Sequence, residues 1–467
     1  MTAKKDYTSI IFVLGVLVFY TAWMLASPYA APPDENMRYD IPMYIYKYGV
    51  LPRGDDPALI NNAWGLSYAY FPILSYMVSA LFMKVVSVFS TEPIALLMAA
   101  RFFSVLCGVG TAFMSLKIGR RLFGKNIGFL FAAMVAFLPQ NVFISSYVNN
   151  DALAILSTSL IVWFWIRGIE SNWDIKACVG LAVSISVCAL SYYNAYGFIL
   201  CSIILFYATF FLKETGAQCV RGTHALRGPE RSGDRFSDSI LGKTLLIVGI
   251  VAVLAGWWFI RNAILYDGDF LGMRSMDACA ELHAWPEVRP SAHTTPMSQG
   301  MSIFDMLIST TWLLSVGRSF IGKFGGMSVT MPMWFYPFAI VFFLVGFVLF
   351  FKNERKAFSF KTDVEGKKYA ILSWVMVPAA LIPNLLSMYN SYASDYQPQG
   401  RYSLPMIIPF FYFIAIGYGS VIRKSKNEER IVMIMVAGII IFALIAYWFA
   451  LLPAYAGKDM FYLGLPN

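Results

Sequence analysis

Two adjacent carboxylates, Asp34 and Glu35, follow the first apolar run of the chain and two consecutive prolines, Pro32 and Pro33. Proline cannot continue a helix, so the acidic pair stands where the apolar run has ended. At a lipid–water boundary, a carboxylate can take a proton from a hydroxyl while the apolar part of a substrate stays in the bilayer. The pair is therefore a candidate catalytic base. Acidic residues also favour the first turn of a helix, and a capping role is the alternative.

Cations that suit a phosphate accompany the pair. Arg101 lies nine residues into the apolar run that starts at Pro93, where arginine requires an acidic, phosphate or carbonyl partner. Arginine and lysine bind phosphate oxygens, and more strongly where water is scarce. Cations near a carboxylate pair therefore predict a site for an anionic lipid headgroup. The candidate phosphate ligands are Lys84, Arg101, Arg261 and Arg401.

Polar side chains that can hold hydroxyl groups occur in two short motifs, Asn-Asn-Asp at residues 149–151 and Gln-Pro-Gln-Gly-Arg-Tyr at 397–402. Simpler roles stay open for some candidates: Asp151 as an N-cap, Arg401 as the anchor of a helix end, and Lys84 as a snorkelling side chain. Trp257 and Trp258 are interpreted as membrane-interface anchors. The candidate sugar or acceptor ligands are Arg38, Asn150, Asp151, Gln399 and Tyr402.

The composition defines the elements that must position these residues. The chain has 467 residues, of which 58% are hydrophobic and 13% charged. This predicts an all-α polytopic membrane protein with one membrane domain, residues 1–467. The net charge of +9 suits cytoplasmic loops that follow the positive-inside rule, so it indicates no nucleic-acid partner. The lack of a Walker-type glycine loop argues against an ATP-driven machine.

The number of membrane crossings follows from the basic loops. Twelve apolar runs are visible, and if all crossed, the basic segment 117–121 and each later basic loop would lie outside. Lysine and arginine prefer the cytoplasmic side. The conflict disappears if the Tyr70–Ser90 run, which contains Pro72 and Lys84, is a juxtamembrane or re-entrant helix. We therefore predict about eleven spans, a cytoplasmic N-terminus and an extracytoplasmic active site.

Three loops are predicted from this topology. Residues 29–92 form the first extracytoplasmic loop, with juxtamembrane helices, and residues 265–332 form a large second one. The basic loop 213–243 is cytoplasmic, and its Gly216–Ser239 stretch, rich in Arg, Gly and Ser, is expected to be mobile.

The order of several motifs resembles that of a known class of membrane enzymes, the GT-C glycosyltransferases, and most closely a bacterial family of poorly characterised multispanning proteins. That family usually has a histidine where this chain has Arg38. The likeness extends over nearly the whole chain, each motif being weak alone and their order more specific. The motifs are Pro32–Glu35, Tyr70–Tyr76, Ala100–Ser104, Gly119–Phe123, Pro139–Gln140, Asn149–Leu153, Trp257–Asn262, Phe324–Gly325 and Gln399–Tyr402.

The resemblance implies an enzyme that takes sugar from a polyprenyl-phosphate donor at the outer face of the membrane. The acidic pair after the first span would supply the base, in an outward-facing cavity with a groove for the lipid donor. Some members of the class use a divalent metal at the acidic residues and others do not, so a metal ion at Asp34 and Glu35 stays open.

The resulting hypothesis is an inverting glycosyltransferase of a bacterial plasma membrane that transfers sugar to a surface glycan or another acceptor. Asp34 would be the base, and Glu35 would orient it or help to bind a metal. A lipid-linked glycan ligase or polymerase is the nearest alternative, since it also uses outer-face arginines and polyprenyl carriers. A flippase or transporter is the other alternative, although it is expected to show repeated halves and polar residues at the membrane midplane.

Overall fold

The computed structural model describes residues 7–222 and 239–465, including the side chains of all but 213–222. Its elements are mostly α-helices, as the composition predicts, with short 3₁₀ turns, one π-helical turn at Tyr447–Leu451 and one two-stranded hairpin. In these ranges eight helices are long and apolar enough to cross a membrane, or nine if one bent pair counts as a single span. The chain is thus an all-α polytopic membrane protein.

The first helix and the segment that follows it position the acidic pair. Helix α1, Tyr7–Ala26, ends just before Pro28, and α2, Glu35–Tyr48, begins directly after the two prolines. A 3₁₀ turn at Tyr68–Tyr70 precedes α3, Leu74–Val86, which has 13 residues. About 20 residues are needed to span the bilayer, so α3 is short for a crossing, and its placement as a juxtamembrane or re-entrant helix stays a prediction.

Helix α4, Pro93–Ala136, is a helical hairpin with its reversal at Gly124. Gly124 has φ 76° and ψ −177°, a conformation open almost only to glycine. The two arms touch where Gly119 meets Gly128, since a Cβ on Gly119 would lie 2.6 Å from the Gly128 carbonyl oxygen. The hairpin packs against α1 and α3 and forms the centre of the molecule.

The remaining elements surround this hairpin. There are fourteen further α-helices in the described ranges, and two of them, α9 and α10, are bent by 49° at their junction. The only strands in these ranges, β1 and β2, pair antiparallel. The helices are α5 Pro139–Ile144, α6 Asp151–Ser171, α7 Ile175–Ala189, α8 Gly197–Gly222, α9 Ile240–Leu254, α10 Gly256–Leu265, α11 Met273–His283, α12 Ile303–Ser309, α13 Trp312–Gly322, α14 Phe335–Asn353, α15 Val364–Ala393, α16 Ile407–Ile422, α17 Glu428–Ala446 and α18 Leu452–Tyr455, and the strands are β1 Lys323–Phe324 and β2 Val329–Thr330.

The count of eleven spans stays a prediction. It is reached if each arm of α4 crosses, if α7 crosses despite its 15 residues, and if α9 and α10 form one broken span. The predicted mobile stretch Gly216–Ser239 falls largely on residues 223–238, which lie outside the described residues, while the backbone before it continues α8 to Gly222.

Candidate active site

The backbone between α1 and α2 turns sharply to present the acidic pair. Ala30 and Asp34 both have φ of 60°, in the left-handed region that non-glycine residues seldom adopt. Asp34 occupies the N-cap position of α2, but its side chain makes no capping hydrogen bond. The capping alternative is therefore wrong for Asp34. Its carboxylate, 31% exposed, faces two arginines instead.

Glu35 lies on the opposite side of this turn, fully buried against Arg101. The Arg101 Nε donates to Glu35 Oε1 over 2.7 Å, and its Nη2 donates to Oε2 over 2.6 Å. The backbone N–H groups of Ala30 and Val148 complete the four hydrogen bonds that the Glu35 carboxylate accepts. Its lone pairs are thereby filled, so Glu35 holds the turn in place rather than meeting a substrate.

Arg101 is equally saturated. Besides Glu35, its guanidinium donates to three backbone carbonyls at the end of α1, those of Met24, Ser27 and Pro28, at 2.6–3.1 Å. The deep arginine thus has the carboxylate and carbonyl partners that its position demanded. With its donors used in this way, Arg101 does not offer the phosphate site expected of it, and the geometry gives it a positioning role.

Arg38, one helical turn after Asp34, joins α2 to the start of α6. Its Nη1 donates to Asn150 Oδ1 over 2.5 Å and lies 3.3 Å from Asp151 Oδ2, while its Nη2 is 3.8 Å from Asp34 Oδ2. Asp151 is not the N-cap, because the Asn149 side chain accepts from the Ala152 N–H. The Asn-Asn-Asp motif thus places two side chains on Arg38.

Arg401 reaches Asp34 from the opposite end of the chain. Its Nη2 donates to Asp34 Oδ2 and to the Tyr402 hydroxyl, each over 2.9 Å. Gly400 makes this possible, because a Cβ there would lie 2.2 Å from the Phe320 nitrogen, so only glycine lets this turn lie against α13. The Arg401 side chain is 5% exposed, which excludes a surface anchor.

Both arginines around Asp34 keep unused hydrogen-bond donors. The Nε and Nη2 of Arg38 and the Nε and Nη1 of Arg401 are buried and have no hydrogen-bond partner. Three further atoms are also buried without a hydrogen-bond partner: the Oδ1 of Asp151 and the hydroxyl oxygens of Tyr76 and Tyr147. Buried polar groups are nearly always paired, so this concentration of unpaired groups indicates a site for a polar ligand.

Electrostatics keep the Asp34 carboxylate charged. Burial opposes its ionised form, but Arg401 and Arg38 together outweigh that effect and hold the pKa of Asp34 below its ordinary value. Burial also raises the pKa of the neighbouring Tyr68 well above its usual range, so this hydroxyl stays protonated. The guanidinium carbon of Arg38 lies 4.6 Å from the centre of the Tyr68 ring.

The acidic pair does not fit a divalent metal ion. Metal ligands need free lone pairs, and the Glu35 oxygens are filled by Arg101 and two backbone N–H groups. The oxygen Oδ2 of Asp34 accepts from Arg401. In the described ranges no three His, Cys, Asp or Glu side chains are grouped for a metal.

Other predicted ligands lie away from Asp34 or at the edge of the site. Lys84 is exposed, and its Nζ lies 4.7 Å from the Tyr46 ring centre. It is near the C-terminal end of α3, nine residues or about 14 Å along the helix from Ser75 at the other end. Arg261 donates to the Pro52 carbonyl over 2.6 Å. Gln399 donates to Gln397, which in turn accepts from the Tyr402 hydroxyl over 2.6 Å.

Sequence reasoning missed the tyrosines that line the site. Tyr68, Tyr76, Tyr147 and Tyr192 all interact electrostatically with Arg38 or Arg401. The chain contains 27 tyrosines, so residue type could not single these out. The available signal was that Tyr68, Tyr76 and Tyr147 lie in or beside the Tyr70–Tyr76 and Asn149–Leu153 motifs, whereas Tyr192 is close to no motif.

Comparisons with known proteins place the chain in a family. Residues 60–410, most of the chain, match the family model DUF2142, described as a predicted membrane protein. The chain belongs to this family. The matched range of this DUF2142 member includes Asn150, Asp151 and Arg401, whereas Asp34 and Arg38 precede it. No curated protein matches the chain.

Solved structures give a likeness in fold. The apo crystal structure of the Archaeoglobus fulgidus oligosaccharyltransferase matches with a TM-score of 0.54 at 14% identity, over 100% of this DUF2142 chain and 57% of that one. The same enzyme tethered to an acceptor peptide matches with a TM-score of 0.49 at 13% identity, over 99% and 56%. The chain thus spans little more than half of that enzyme and has a GT-C-like fold.

Proposed function

We propose that this protein is an inverting glycosyltransferase that acts at the extracytoplasmic face of a bacterial plasma membrane. Its donor is a polyprenyl-phosphate sugar, drawn from the bilayer, and its acceptor is a surface glycan or another hydroxyl-bearing molecule. Asp34 is the base, and Arg38 and Arg401 hold the donor phosphate. The GT-C-like fold supports the reaction class.

One observation carries the proposal: a charged carboxylate stands between two buried guanidiniums whose remaining donors have no partner. Asp34 Oδ2 is 2.9 Å from Arg401 Nη2 and 3.8 Å from Arg38 Nη2. Guanidinium groups match phosphate oxygens in a two-pronged geometry. A phosphate bound by the unused nitrogens of Arg38 and Arg401 would bring the donor sugar into the site that holds Asp34.

The chemistry follows from this placement. The acceptor hydroxyl gives its proton to Asp34 as its oxygen attacks the anomeric carbon from the side opposite the phosphate. The bond between that carbon and the phosphate oxygen breaks, and its electron pair stays on the departing polyprenyl phosphate. Arg38 and Arg401 stabilise the negative charge that develops there, in a site with little water. Asp151, whose Oδ1 has no partner, would accept a hydrogen bond from a sugar hydroxyl, whereas both amide atoms of Asn150 are engaged, by Arg38 and by the Ser191 carbonyl.

Donor binding also prepares the base. In the free protein, Arg401 and Arg38 lower the pKa of Asp34 and so weaken it as a proton acceptor. A bound phosphate brings negative charge to the same two arginines and offsets their pull on Asp34. The proton affinity of Asp34 therefore rises when the donor is in place, which favours binding of the donor before transfer.

The lipid tail has an apolar cavity within reach. A cavity of about 480 Å³ lies between the second arm of α4 and helices α14, α16 and α17. Phe411 on its wall follows Arg401 by ten residues of 3₁₀ turn and helix, or roughly 18 Å. Its aromatic and aliphatic lining, including Phe342 and Phe442, suits a polyprenyl chain whose phosphate is held at Arg401.

The test is surface-glycan mass spectrometry on cells that lack the gene and are complemented with equal amounts of wild type, Asp34→Asn or Asp55→Asn. Asp55 is the control, because it lies in the same outer loop and is a surface carboxylate, 43% exposed. We expect one sugar substituent to disappear from an otherwise intact polymer in the Asp34→Asn cells, while wild type and Asp55→Asn restore it. Full rescue by Asp34→Asn would remove Asp34 from the mechanism.

A lipid-linked glycan ligase or polymerase is the second candidate. The four unpartnered guanidinium nitrogens would also suit a pyrophosphate leaving group. Loss of the whole polymer, rather than of one substituent, would favour this function. Thin-layer analysis of the released lipid separates the two, since the transferase releases polyprenyl phosphate and the ligase releases polyprenyl pyrophosphate. Loss of the polymer without release of either lipid would indicate transport.

A further inference from the structure

A second group of unpartnered polar atoms lies on one face of helix α10. Trp258, Arg261 and Asn262 are spaced at i, i+3 and i+4, so their side chains are neighbours. Trp258 and Asn262 are 0% exposed, and neither the indole Nε1 nor either amide atom of Asn262 has a hydrogen-bond partner. The Nη1 of Arg261 is also buried and unpartnered. The sequence-based interpretation of Trp258 as an interface anchor is therefore wrong.

The charge in this cluster is uncompensated. Arg261 donates to the Pro52 carbonyl and lies 5.1 Å from the Trp258 ring centre, but within the described ranges it forms no ion pair. The cluster offers a guanidinium N–H, an indole N–H and an amide N–H₂ as donors, against one amide oxygen as acceptor. A partly buried cation whose neighbouring donors are free favours a negatively charged ligand.

The cluster is close to the Asp34 site but separate from it. The 3₁₀ turn Tyr68–Tyr70 joins the two, since Tyr68 packs under Arg38, and the Tyr70 carbonyl and the Asn262 amide both approach Gly272. The Cα atoms of Tyr68 and Tyr70 are within about 7 Å of each other. None of the contacts that hold Arg38 and Arg401 at Asp34 involves α10.

We propose that Trp258, Arg261 and Asn262 form an anion-binding subsite that takes a phosphate or carboxylate group of the acceptor. Arg261 neutralises the anion, and the indole and amide donors hold its oxygens. The subsite selects acidic acceptors, such as a phosphate- or uronate-bearing glycan, and orients them toward Asp34. The assignment to the acceptor rests on the proposed function, whereas the binding of an anion at α10 does not.

The test uses the full-length protein in detergent micelles, labelled with 5-fluorotryptophan and observed by fluorine NMR. The Trp258 resonance is identified by its loss in Trp258→Phe. We expect a saturable shift of this resonance with inorganic phosphate and with glucuronate, and none with neutral methyl glucoside. Arg261→Gln should abolish the shift, and Asp34→Asn should retain it. An equal shift with the neutral sugar, or an unchanged shift in Arg261→Gln, would overturn the proposal.

A lipid-phosphate probe separates the two sources of phosphate. Farnesyl phosphate should leave the Trp258 resonance in place, because its phosphate binds at Arg38 and Arg401. A saturable Trp258 shift with farnesyl phosphate that persists in Arg401→Gln would assign the subsite to the donor and contradict the acceptor role. The Trp258 signal does not depend on turnover. This test therefore remains valid even if Asp34 proves not to be the catalytic base.

Asn262→Leu provides a second readout. Replacing an unpartnered buried amide by an apolar side chain of similar size should maintain or raise the melting temperature of the ligand-free protein. Combined with Arg401→Gln, which removes the donor site, the variant should lose the increase in melting temperature that phosphate gives to Arg401→Gln alone. A lower melting temperature without ligand would show that Asn262 has a structural role, and would contradict its place in the subsite.

Discussion

Arg101 and Glu35 form a fully buried, two-pronged ion pair between the α4 hairpin and the turn that carries Asp34. Arg101 binds the carbonyls at the end of α1, and Glu35 binds the N–H groups of Ala30 and Val148. One side-chain pair thus fixes α1, the left-handed turn and the segment before α6. Since Asp34 directly precedes Glu35 in the chain, its position depends on this pair.

Breaking this pair should lower the stability far more than breaking an exposed pair of the same geometry. Arg53 and Asp55 also form a two-pronged pair, with both N–O distances 2.8 Å, but their side chains are 51% and 43% exposed. Arg101→Leu leaves a buried carboxylate unpaired and should reduce the free energy of unfolding by about 3–5 kcal/mol. Arg53→Leu should cost about 1 kcal/mol or less. Equal losses in denaturant titrations of the two variants would contradict the positioning role.

The sequence predicted part of the group that gathers but not what each residue does. Lys84 and Arg261 lie elsewhere, while six of the predicted residues meet in one site: Asp34, Arg38, Asn150, Asp151, Arg401 and Tyr402. Adjacent acids could not be told apart, because the direction of a side chain at a left-handed residue is not set by spacing. The turn sends Glu35 inward to Arg101 and leaves Asp34 partly exposed. Trp258 was misread because its burial comes from tertiary packing, which the position of a tryptophan in an apolar run does not reveal.

The pH at which activity falls in acid, the acid limb of the pH–rate profile, should depend on the arginines around Asp34, because they lower its pKa. A base with a lowered pKa stays ionised until the pH falls through that pKa, so wild type should lose kcat/KM only in strongly acidic solution. Arg401→Gln removes an attraction that favours the charged form, while the opposing effect of burial remains. The pKa of Asp34 then rises, and the acid limb should move to higher pH. We would follow the release of polyprenyl phosphate from a lipid-linked sugar in vesicles. An unshifted limb would show that another group titrates.

The shape of the Arg38 side chain should matter as much as its charge. Its Nη1 is held by Asn150 and Asp151, which directs the unused Nε and Nη2 into the site. Lysine keeps the charge but has no planar fork, so Arg38→Lys should raise the KM for the lipid donor about 10- to 100-fold, with a smaller effect on kcat. Arg167→Lys is the control, since Arg167 is 46% exposed and bonds Glu170. A donor KM that stays at the wild-type value in Arg38→Lys would exclude Arg38 as a phosphate ligand.

The α4 hairpin gives a prediction about the fold itself. Gly124 has the backbone conformation that reverses the chain, and the space around its missing Cβ is open. Gly124→Ala therefore meets no steric clash with neighbours, and its effect is confined to backbone strain of about 1–3 kcal/mol. Gly249 in α9 also has open space but ordinary helical geometry, so Gly249→Ala should be neutral or stabilise by up to about 1 kcal/mol. Opposite shifts in melting temperature are expected. Stabilisation by Gly124→Ala would mean that α4 does not reverse there, and that its two arms are not separate spans.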